Sequence, residues 1–483
     1  MMRTRAVLLA SFLLAVISSA WSQSSSSGFP PPSANQPQPE TIPFPTLSPD
    51  QFNGSGTVDK LVPGVIRLSL LDAINRGLKH NLGLILSQEQ TATARAQHLR
   101  DLSILLPQIN VTTSMSVQQI NLAAFGIPFT VNGSTIVGPF GLFDARPHMS
   151  ERLLDFTAMK RLRSAVESEK AASFSLQDAQ ELVVLVVGNQ YLLVLEDAAR
   201  LDTTRAQLTT AQAIFQQAQD MKKAGVAPGI DVLRAQVQMQ EQQQRVLSAE
   251  NQVEKQRMSL ARTIGLPITQ AFELTDKVPY APLPQLNVDE ELARTYTRRP
   301  EYLAAQARVR AAEMQVAAAR DERLPTLDLS GDYGVIGPEI GNALQTYSLA
   351  AGLRIPVFQG GKVKADIQQA QSNLNQLKSQ LEDLHVRIEF EVRSSLLDVK
   401  TSNDQVAVAQ QSIDLAAEQL KQARDRFRSG VSNSLEVVQA QEAVASANET
   451  YIEALYLNNV AKLSLARALG VAEQQTRAFL ESK

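Results

Sequence analysis

The sequence states its plan twice. Gly225-Val226 followed by Ile230-Asp231-Val232-Leu233-Arg234-Ala235-Gln236 recurs, 205 residues on, as Gly430-Val431 followed by Leu435-Glu436-Val437-Val438-Gln439-Ala440-Gln441. Gly265-Leu266 matches Gly470-Val471 at the same spacing, Phe156 matches Phe358 at 202, and Leu106-Pro107 matches Leu324-Pro325 at 218. Whatever unit this chain folds into, it folds twice. That overrides the three or so domains that length alone suggests. The copies run over 61–287 and 288–475, leaving 476–483 as a C-terminal tail. The first copy carries 16 extra residues between its Leu-Pro and its Phe, around Phe125–Phe140, with an Asn132-Gly133 pair suited to a tight turn.

Each copy reads as helix, two strands, very long helix, turn, helix. The spacing predicts opening helices over Ser69–Leu105 and Asp289–Arg323, each stopping before a proline, which disfavours the α conformation in the residue ahead of it. Strict alternation follows. Ile109, Val111, Thr113, Met115 and Val117 interleave with Asn110, Thr112, Ser114, Ser116 and Gln118, and Leu327, Leu329, Tyr333 and Val335 interleave with polar residues in the second copy. Tyr347, Leu349, Ala351, Leu353 and Ile355 give that copy a return strand. The first copy's return strand, near Ala145–Leu153, is not convincing by the same pattern, because Pro147 and Glu151 fall on its outward face, and its regularity stays open. Period two over about ten residues is the pattern of a membrane barrel strand.

Met159–Lys223 and Gly361–Arg428 contain no proline, and at ~1.5 Å per residue each spans roughly 100 Å as a helix. Gly225 and Gly430 end them. The next helix carries a heptad: Val437, Val444, Tyr451, Asn458 and Leu465, with Ala440, Ala447, Ala454, Ala461 and Ala468 three residues later. The first copy answers with Val232, Met239, Val246, Val253 and Leu260, and with Ala235, Gln242, Ala249, Gln256 and Thr263. A sustained seven-residue repeat imposes coiled-coil packing.

Composition narrows the setting. Arg3 and Arg5, apolar Ala6–Ile17 and Ser18-Ser19-Ala20 form a secretory signal over 1–20, too short to span hydrocarbon. A Ser/Pro-rich leader, expected to be disordered, follows over 21–60. The chain has no cysteine, hence no disulfide, thiolate metal site or cysteine-borne lipid. Lys and Arg (46) nearly balance Asp and Glu (49), so there is no electrostatic footprint for nucleic acid. Leu182–Val187 is the best apolar run after the signal and is far short of a transmembrane helix. Entry into a membrane must then be as a barrel.

No catalytic, metal or cofactor constellation is expected. His80, His98, His148 and His385 lie in different segments without ligand spacing. Gly360-Gly361-Lys362 lacks the first glycine and the Ser or Thr of a phosphate loop and reads as a strand-to-helix joint. Glu389 and Glu391 read as a solvated helix face. Asp231 and Glu436 are favourable charges in a helix's first turn, a role compatible with facing a lumen.

Strand hairpin, long helix, glycine turn and partner helix, duplicated over about Leu61 to Gln475, resemble the TolC family of outer-membrane efflux proteins. The resemblance rests most on the turns Ala224-Gly225-Val226-Ala227-Pro228-Gly229-Ile230-Asp231-Val232 and Ser429-Gly430-Val431-Ser432-Asn433-Ser434-Leu435-Glu436-Val437, with Phe358-Gln359-Gly360-Gly361 as the strand-to-helix turn. It implies a mainly α protein with a membrane β-barrel, a homotrimer of twelve strands closed into one channel-tunnel. It further implies that the barrel would lie in outer-membrane lipid and the helices in the periplasm. Gly225, Val226, Gly430 and Val431 would form the tip that docks a periplasmic adaptor of an inner-membrane pump, in tripartite efflux or type I secretion. Asp231, Glu436 and Gln439 would be the lumen gate. The sequence departs from the family pattern at Ala158-Met159, where the first copy would carry Gly-Gly, at Gln439 in place of a second acidic residue, and at Ser432 in place of a basic one. The competing class is a secreted coiled-coil structural or adhesive protein, which accounts for the heptads but not the strands.

Overall fold

The computed structural model describes residues 49–126, 129–130, 133–226, 228–276, 287–429, 431–432 and 434–473. The expected signal (1–20), the leader to residue 48, Asn132, Gly430 and the tail (476–483) lie outside them. From Pro49 onward the expected leader is ordered. Pro49–Asn53 make a 3-10 turn, and Phe52, 3 % exposed, packs where Gly83 leaves room. Gly56 N–H donates to His80 O, and Leu82 N–H to Gly54 O, at 2.9 Å each. One buried aromatic carries no period, so composition alone hides it.

Strand β1 (Ile66–Leu68) leads into helix α1 (Leu70–His80), opened by a Ser69–Asp72 capping box. Helix α2 (Leu82–Ser103) follows after a single-residue break. The expected helix Ser69–Leu105 is therefore two. Asn81 Oδ1 accepts from Gly83 N–H (3.0 Å) while Asn81 Nδ2 donates to Phe52 O (2.6 Å), so one buried side chain ends α1 and caps α2. The second expected helix is also two, α5 (Val288–Arg298) and α6 (Pro300–Asp321), because Pro300 holds Arg299 extended. Asn81 and Arg299 are 218 residues apart, the spacing of the Leu-Pro pairs, so the break belongs to the repeat.

Strands β2 (Gln108–Asn121), β3 (Ile136–Leu154), β5 (Thr326–Gly337) and β6 (Leu344–Arg354) form one antiparallel sheet in the order β2-β3-β5-β6. The return strand whose regularity the alternation left open is β3, a strand of 19 residues. Its pairing with β5 skips Arg146 and Pro147 and resumes at His148–Asp332, since proline gives no ladder N–H. The register puts Asn110, His148, Asp332 and Ser348 in one row and Ile109, Met149, Gly331 and Leu349 in the next, on opposite faces. Strand β4 (Phe272–Leu274) pairs in parallel with β1, beside the helices.

Helix α3 (Phe156–Lys223, 68 residues) descends from β3 and α4 (Gly229–Thr263) returns, while α7 (Lys362–Arg428, 67 residues) descends from β6 and α8 (Ser434–Ala468) returns. Near the sheet the helices lie side by side as α2–α3–α6–α7, and farther away as α4–α3–α8–α7. The heptads face inward: Val246, Val253, Leu260, Val437 and Leu465 are buried, as are Ala440, Ala454, Ala461 and Ala468. Asn458, fully buried in a heptad slot, donates to Ser402 Oγ (3.1 Å) and Asn403 Oδ1 (2.7 Å) of α7, fixing the α7–α8 register.

The main core lies where α1, α3, α8 and the β1–β4 pair meet. Val183, Val184, Val187, Tyr191 and Leu192 supply its centre. By composition this stretch of α3 would pass as a membrane span, but most of it is buried against neighbouring helices. A Cβ on Gly188 would stand 2.9 Å from Leu463 Cδ1, so the missing side chain is what lets α8 cross α3 here. Charge is buried beside this core. Arg467 binds Asp178 (2.6 Å) and Glu181 (3.4 Å), and Arg299 binds Glu391 (2.5 Å) and Glu301 (3.1 Å). Glu391, expected on a solvated face, thus joins a partly buried ion pair.

Burial pushes the Glu181 carboxyl up to about 7, against the attraction of Arg467. The fold therefore favours protonated Glu181. Its contribution is fully present below the ordinary glutamate range and is lost as pH rises through about 7. Glu181→Gln, a permanently neutral stand-in, should melt above the parent at pH 8 and close to it at pH 5. Melting curves in detergent that keep the same offset at both pH values would show the carboxyl to be ionised throughout.

Candidate functional site: the hairpin turns

Both long helices end in the same way. At the end of α3, Ala224 N–H donates to Asp220 O (3.0 Å), Gly225 N–H to Lys222 O (3.0 Å) and Val226 N–H to Met221 O (2.9 Å). The last of these spans five residues, the closing bond of a Schellman turn, and Gly225 takes the left-handed φ of 72° that such a turn requires. At the end of α7, Ser429 N–H donates to Asp425 O and Val431 N–H to Arg426 O, each at 3.0 Å, so the second copy keeps the same closing bond. Lys222, Lys223, Arg426 and Arg428 set positive charge against the carbonyl ends of the two helices.

What the turns present is apolar. Val226 is 70 % and Val431 71 % exposed, and Ile230 and Leu435, one turn on, are exposed as well. Each pair is 205 residues apart. Ile230 and Leu435 were not among the sequence candidates. Their match across the repeat was the available signal, but both sit outside the heptad that draws the eye.

The three expected gate residues are placed differently from one another. Asp231 is 6 % exposed in the first turn of α4, 3.6 Å from Arg234. Glu436, half-buried, accepts from Ser432 Oγ and stands 3.4 Å from Arg426 Nε across the turn. Ser432, the departure from a basic residue, thus bonds the acid beside it. Gln439 is exposed one turn farther along α8. Glu436 and Gln439 share the free end of α8, while Asp231 is packed inside the first hairpin.

At the sheet end, polar residues occupy one face. Arg146 donates to Asp144 (2.5 Å) on its own strand and to Asp332 (2.8 Å) on β5, and Ser348 on β6 bonds Asp332. The opposite face carries exposed Ile109, Val111, Met115, Leu349 and Leu353. The histidines are spread out. His80 bonds Thr57 (2.7 Å), His98 pairs with Glu169 (2.5 Å), and His385 stacks on Tyr296 at 4.2 Å. Among the described residues no group of three or more His, Cys, Asp or Glu is placed to hold a metal ion.

A sheet apolar outside and polar inside, continued by helical hairpins of about 100 Å, defines a membrane channel subunit with a helical extension. The chain belongs to the outer membrane efflux protein family, whose model matches residues 74–266 and 292–471. It is an efflux-channel component of the bacterial outer membrane, with its helices on the periplasmic side. The outer membrane protein OprJ of Pseudomonas aeruginosa is 24 % identical over 428 residues, 86 % of this chain and 87 % of OprJ. The toluene efflux pump outer membrane protein TtgC of Pseudomonas putida is 23 % identical, over 83 % of each chain. Among solved structures, the CmeC outer membrane channel of Campylobacter jejuni superposes with a TM-score of 0.72 at 17 % identity, covering 83 % of this chain and 86 % of that one. VceC of Vibrio cholerae also gives 0.72, at 16 % identity, covering 83 % and 96 %.

A Cβ on Gly225 would meet nothing within 4 Å, so only its φ resists substitution. Gly225→Ala should cost about 1 kcal/mol locally, whereas Gly225→Asn, which tolerates the left-handed region, should cost less. Amide exchange at Val226 should accelerate roughly fivefold in the alanine variant with the global melting point unchanged. Equal exchange in both variants would mean that the turn does not depend on the left-handed residue.

Proposed function

We propose that three copies of this chain close one twelve-stranded barrel in the outer membrane. Their helices continue it as a tunnel whose tip docks a periplasmic adaptor joined to an inner-membrane pump, so that small molecules pass from pump to exterior. The observation that carries this reading is the sheet itself. Four strands in hydrocarbon leave the backbone groups of β2 and β6 without partners, and known barrels begin at about eight strands, so copies must share one barrel. The family resemblance supplies the number three. Relatives named for pyoverdine export and for toluene efflux favour efflux of small molecules over polypeptide secretion.

The proposed tip comprises Gly225, Val226, Gly430 and Val431, to which the structure's geometry adds Ile230 and Leu435. Six such turns in one plane would offer an adaptor a ring of exposed apolar side chains backed by basic helix ends. Glu436 and Gln439 are the proposed lumen gate, with Asp231 supporting the turn beside it. The proposed division into repeats at 61–287 and 288–475 fits the two stretches that the family model matches.

Gly430→Trp should leave the trimer intact by native mass spectrometry and leave membrane insertion unchanged, yet abolish efflux. Gly225→Trp should impair efflux less. Normal efflux by both variants, with intact pump partners, would mean that the tip is not the docking surface. A monomer as the largest stable species of the parent protein would reject the shared barrel outright. Glu436→Ala should raise single-channel conductance and weaken block by divalent cations in planar bilayers, because three carboxylates about one axis repel each other and attract cations. Unchanged conductance and block would place Glu436 outside the constriction.

A further inference from the structure

The sheet hands over to the helices through a band that is apolar first and basic next. On the sheet side Leu106, Leu153, Leu324 and Ile355 are exposed. Val357 and Phe358, in the glycine joint ahead of α7, are 92 % and 88 % exposed. On α3, Phe156, Met159, Lys160 and Arg163 follow at steps of three, one and three, so they share one helix face. The apolar pair stands nearer the sheet and the basic pair follows within the next turn. All four reach the surface, whereas Ala158 and Ala165 on the opposite face are buried. The unit is also repeated. Phe156 and Lys160 recur, 202 residues on, as Phe358 and Lys362, each a phenylalanine with a lysine four residues later.

The cations of this band exceed what the chain itself neutralises. Lys160 and Arg163 on α3, Arg320 and Arg323 at the end of α6, and Lys364 on α7 make no side-chain hydrogen bond or ion pair with any described residue. The acids nearby are already engaged. Asp155 caps α3 and holds Arg152, and Glu322 is shared by Arg161 (3.2 Å) and Lys362 (3.1 Å). Asp321, half-buried between Arg320 and Arg323, offsets one of the five. Helix stability does not account for Lys364. It stands in the first turn of α7, where there is no acidic residue, and opposes the helix dipole. Nor is a second copy the natural occupant. Near the sheet the order is α2–α3–α6–α7, so α3 and α6 are inner helices and a neighbour would meet α2 and α7.

We propose that this band binds acidic phospholipid of the periplasmic leaflet. The exposed apolar side chains enter the acyl boundary, and the five cations, one to two turns farther from the sheet or at its margin, hold the phosphates. Apolar row and basic row stand in the order in which a leaflet presents acyl chain and headgroup, with the helices on the periplasmic side. Long Lys and Arg stems lie along the apolar boundary while their heads reach the charged layer, and the arginine fork matches phosphate oxygens. The proposal deepens the outer-membrane reading above and rests on it.

The test offers the full chain, in mild detergent, an equimolar mixture of phosphatidylglycerol and phosphatidylcholine with the same acyl chains. Native mass spectrometry should find phosphatidylglycerol retained in roughly fivefold excess. Lys160→Gln with Arg163→Gln, and Arg320→Gln with Arg323→Gln, should each lower that ratio, and the four together should bring it close to unity. Equal retention of the two lipids by the parent, or an unchanged ratio in the fourfold variant, overturns the proposal. The same spectra count subunits. Failure of the shared barrel would show as absence of trimer, whereas a trimer that holds both lipids equally overturns the band alone. A second measurement is independent of the charge variants. The chain has one tryptophan, Trp21, so Trp21→Phe with Phe358→Trp leaves a single fluorophore in the joint. In vesicles of phosphatidylglycerol brominated along the acyl chain its emission should be quenched. Unquenched emission would mean that water or protein, rather than lipid, covers Phe358, and would overturn the proposal.

Discussion

In hydrocarbon a backbone N–H or C=O without a partner costs several kcal/mol, and no side-chain packing makes up for an open row of them. The four-stranded sheet β2-β3-β5-β6 has two such rows. This single shortage organises the molecule. The chain must be a fraction of something closed, its two edges must match each other, and whatever hangs from the sheet must tolerate being one sector of a ring. Duplication meets the last condition cheaply. Each copy contributes one hairpin of strands and one of helices, and the turns of both helical hairpins close with the same five-residue bond, Val226 to Met221 and Val431 to Arg426.

A wall one helix thick faces a different difficulty, because most of each helix meets either water or a lumen. Long apolar stripes would make it aggregate, yet too few would let the hairpins separate. The chain uses alanine in alternate heptad slots, which brings the backbones of α7 and α8 close with little apolar area. It also keeps a few buried polar groups to fix register, Asn458 against Ser402 and Asn403 in one hairpin and Gln238 against Glu442 between hairpins. Among the described residues the main core is gathered around Val183–Leu192, where α1, α8 and the β1–β4 pair meet α3. Gly188, with Leu463 in the space a side chain would take, is the point at which that crossing is possible.

Much of this was legible from residues alone, because period and repetition survive without coordinates. The offsets of 205 and 218 gave the two copies, alternation gave three of the four strands, and proline-free runs gave the long helices to within a few residues. Features decided by a single residue were harder to read. Asn81 and Arg299 split the opening helices through one cap and one proline neighbour, and neither interrupts the hydrophobic pattern enough to show. β3 keeps Pro147 inside a membrane strand because the ladder to β5 is interrupted there. The outer stripes of α4 and α7 escaped for a different reason. A heptad reading finds the face that closes a hairpin, whereas Leu397, Val408, Leu247 and Met258 lie exposed on the outward faces of α7 and α4.

The two copies part company where the chain leaves the sheet, and this accounts for one departure from the family pattern. Asp155 caps α3 directly, its Oδ1 accepting from Ala158 N–H (2.8 Å) with Arg152 Nη1 3.2 Å from Oδ2, so strand and helix join without a spare residue. A Gly-Gly pair at Ala158-Met159 would fall inside the first turn of a helix that is already capped, where it would only weaken it. The second copy instead runs from Arg354 through exposed Val357 and Phe358 to Gly360 and Gly361, both left-handed, before α7 begins. Lys362 then bonds Glu322 (3.1 Å) and Asp366 (2.9 Å), anchoring the new helix to the end of α6. The same fold is thus entered rigidly on one side and through a glycine joint on the other. The jointed side carries α7, the outer helix of the wall, and α8, the helix on which Glu436 and Gln439 stand.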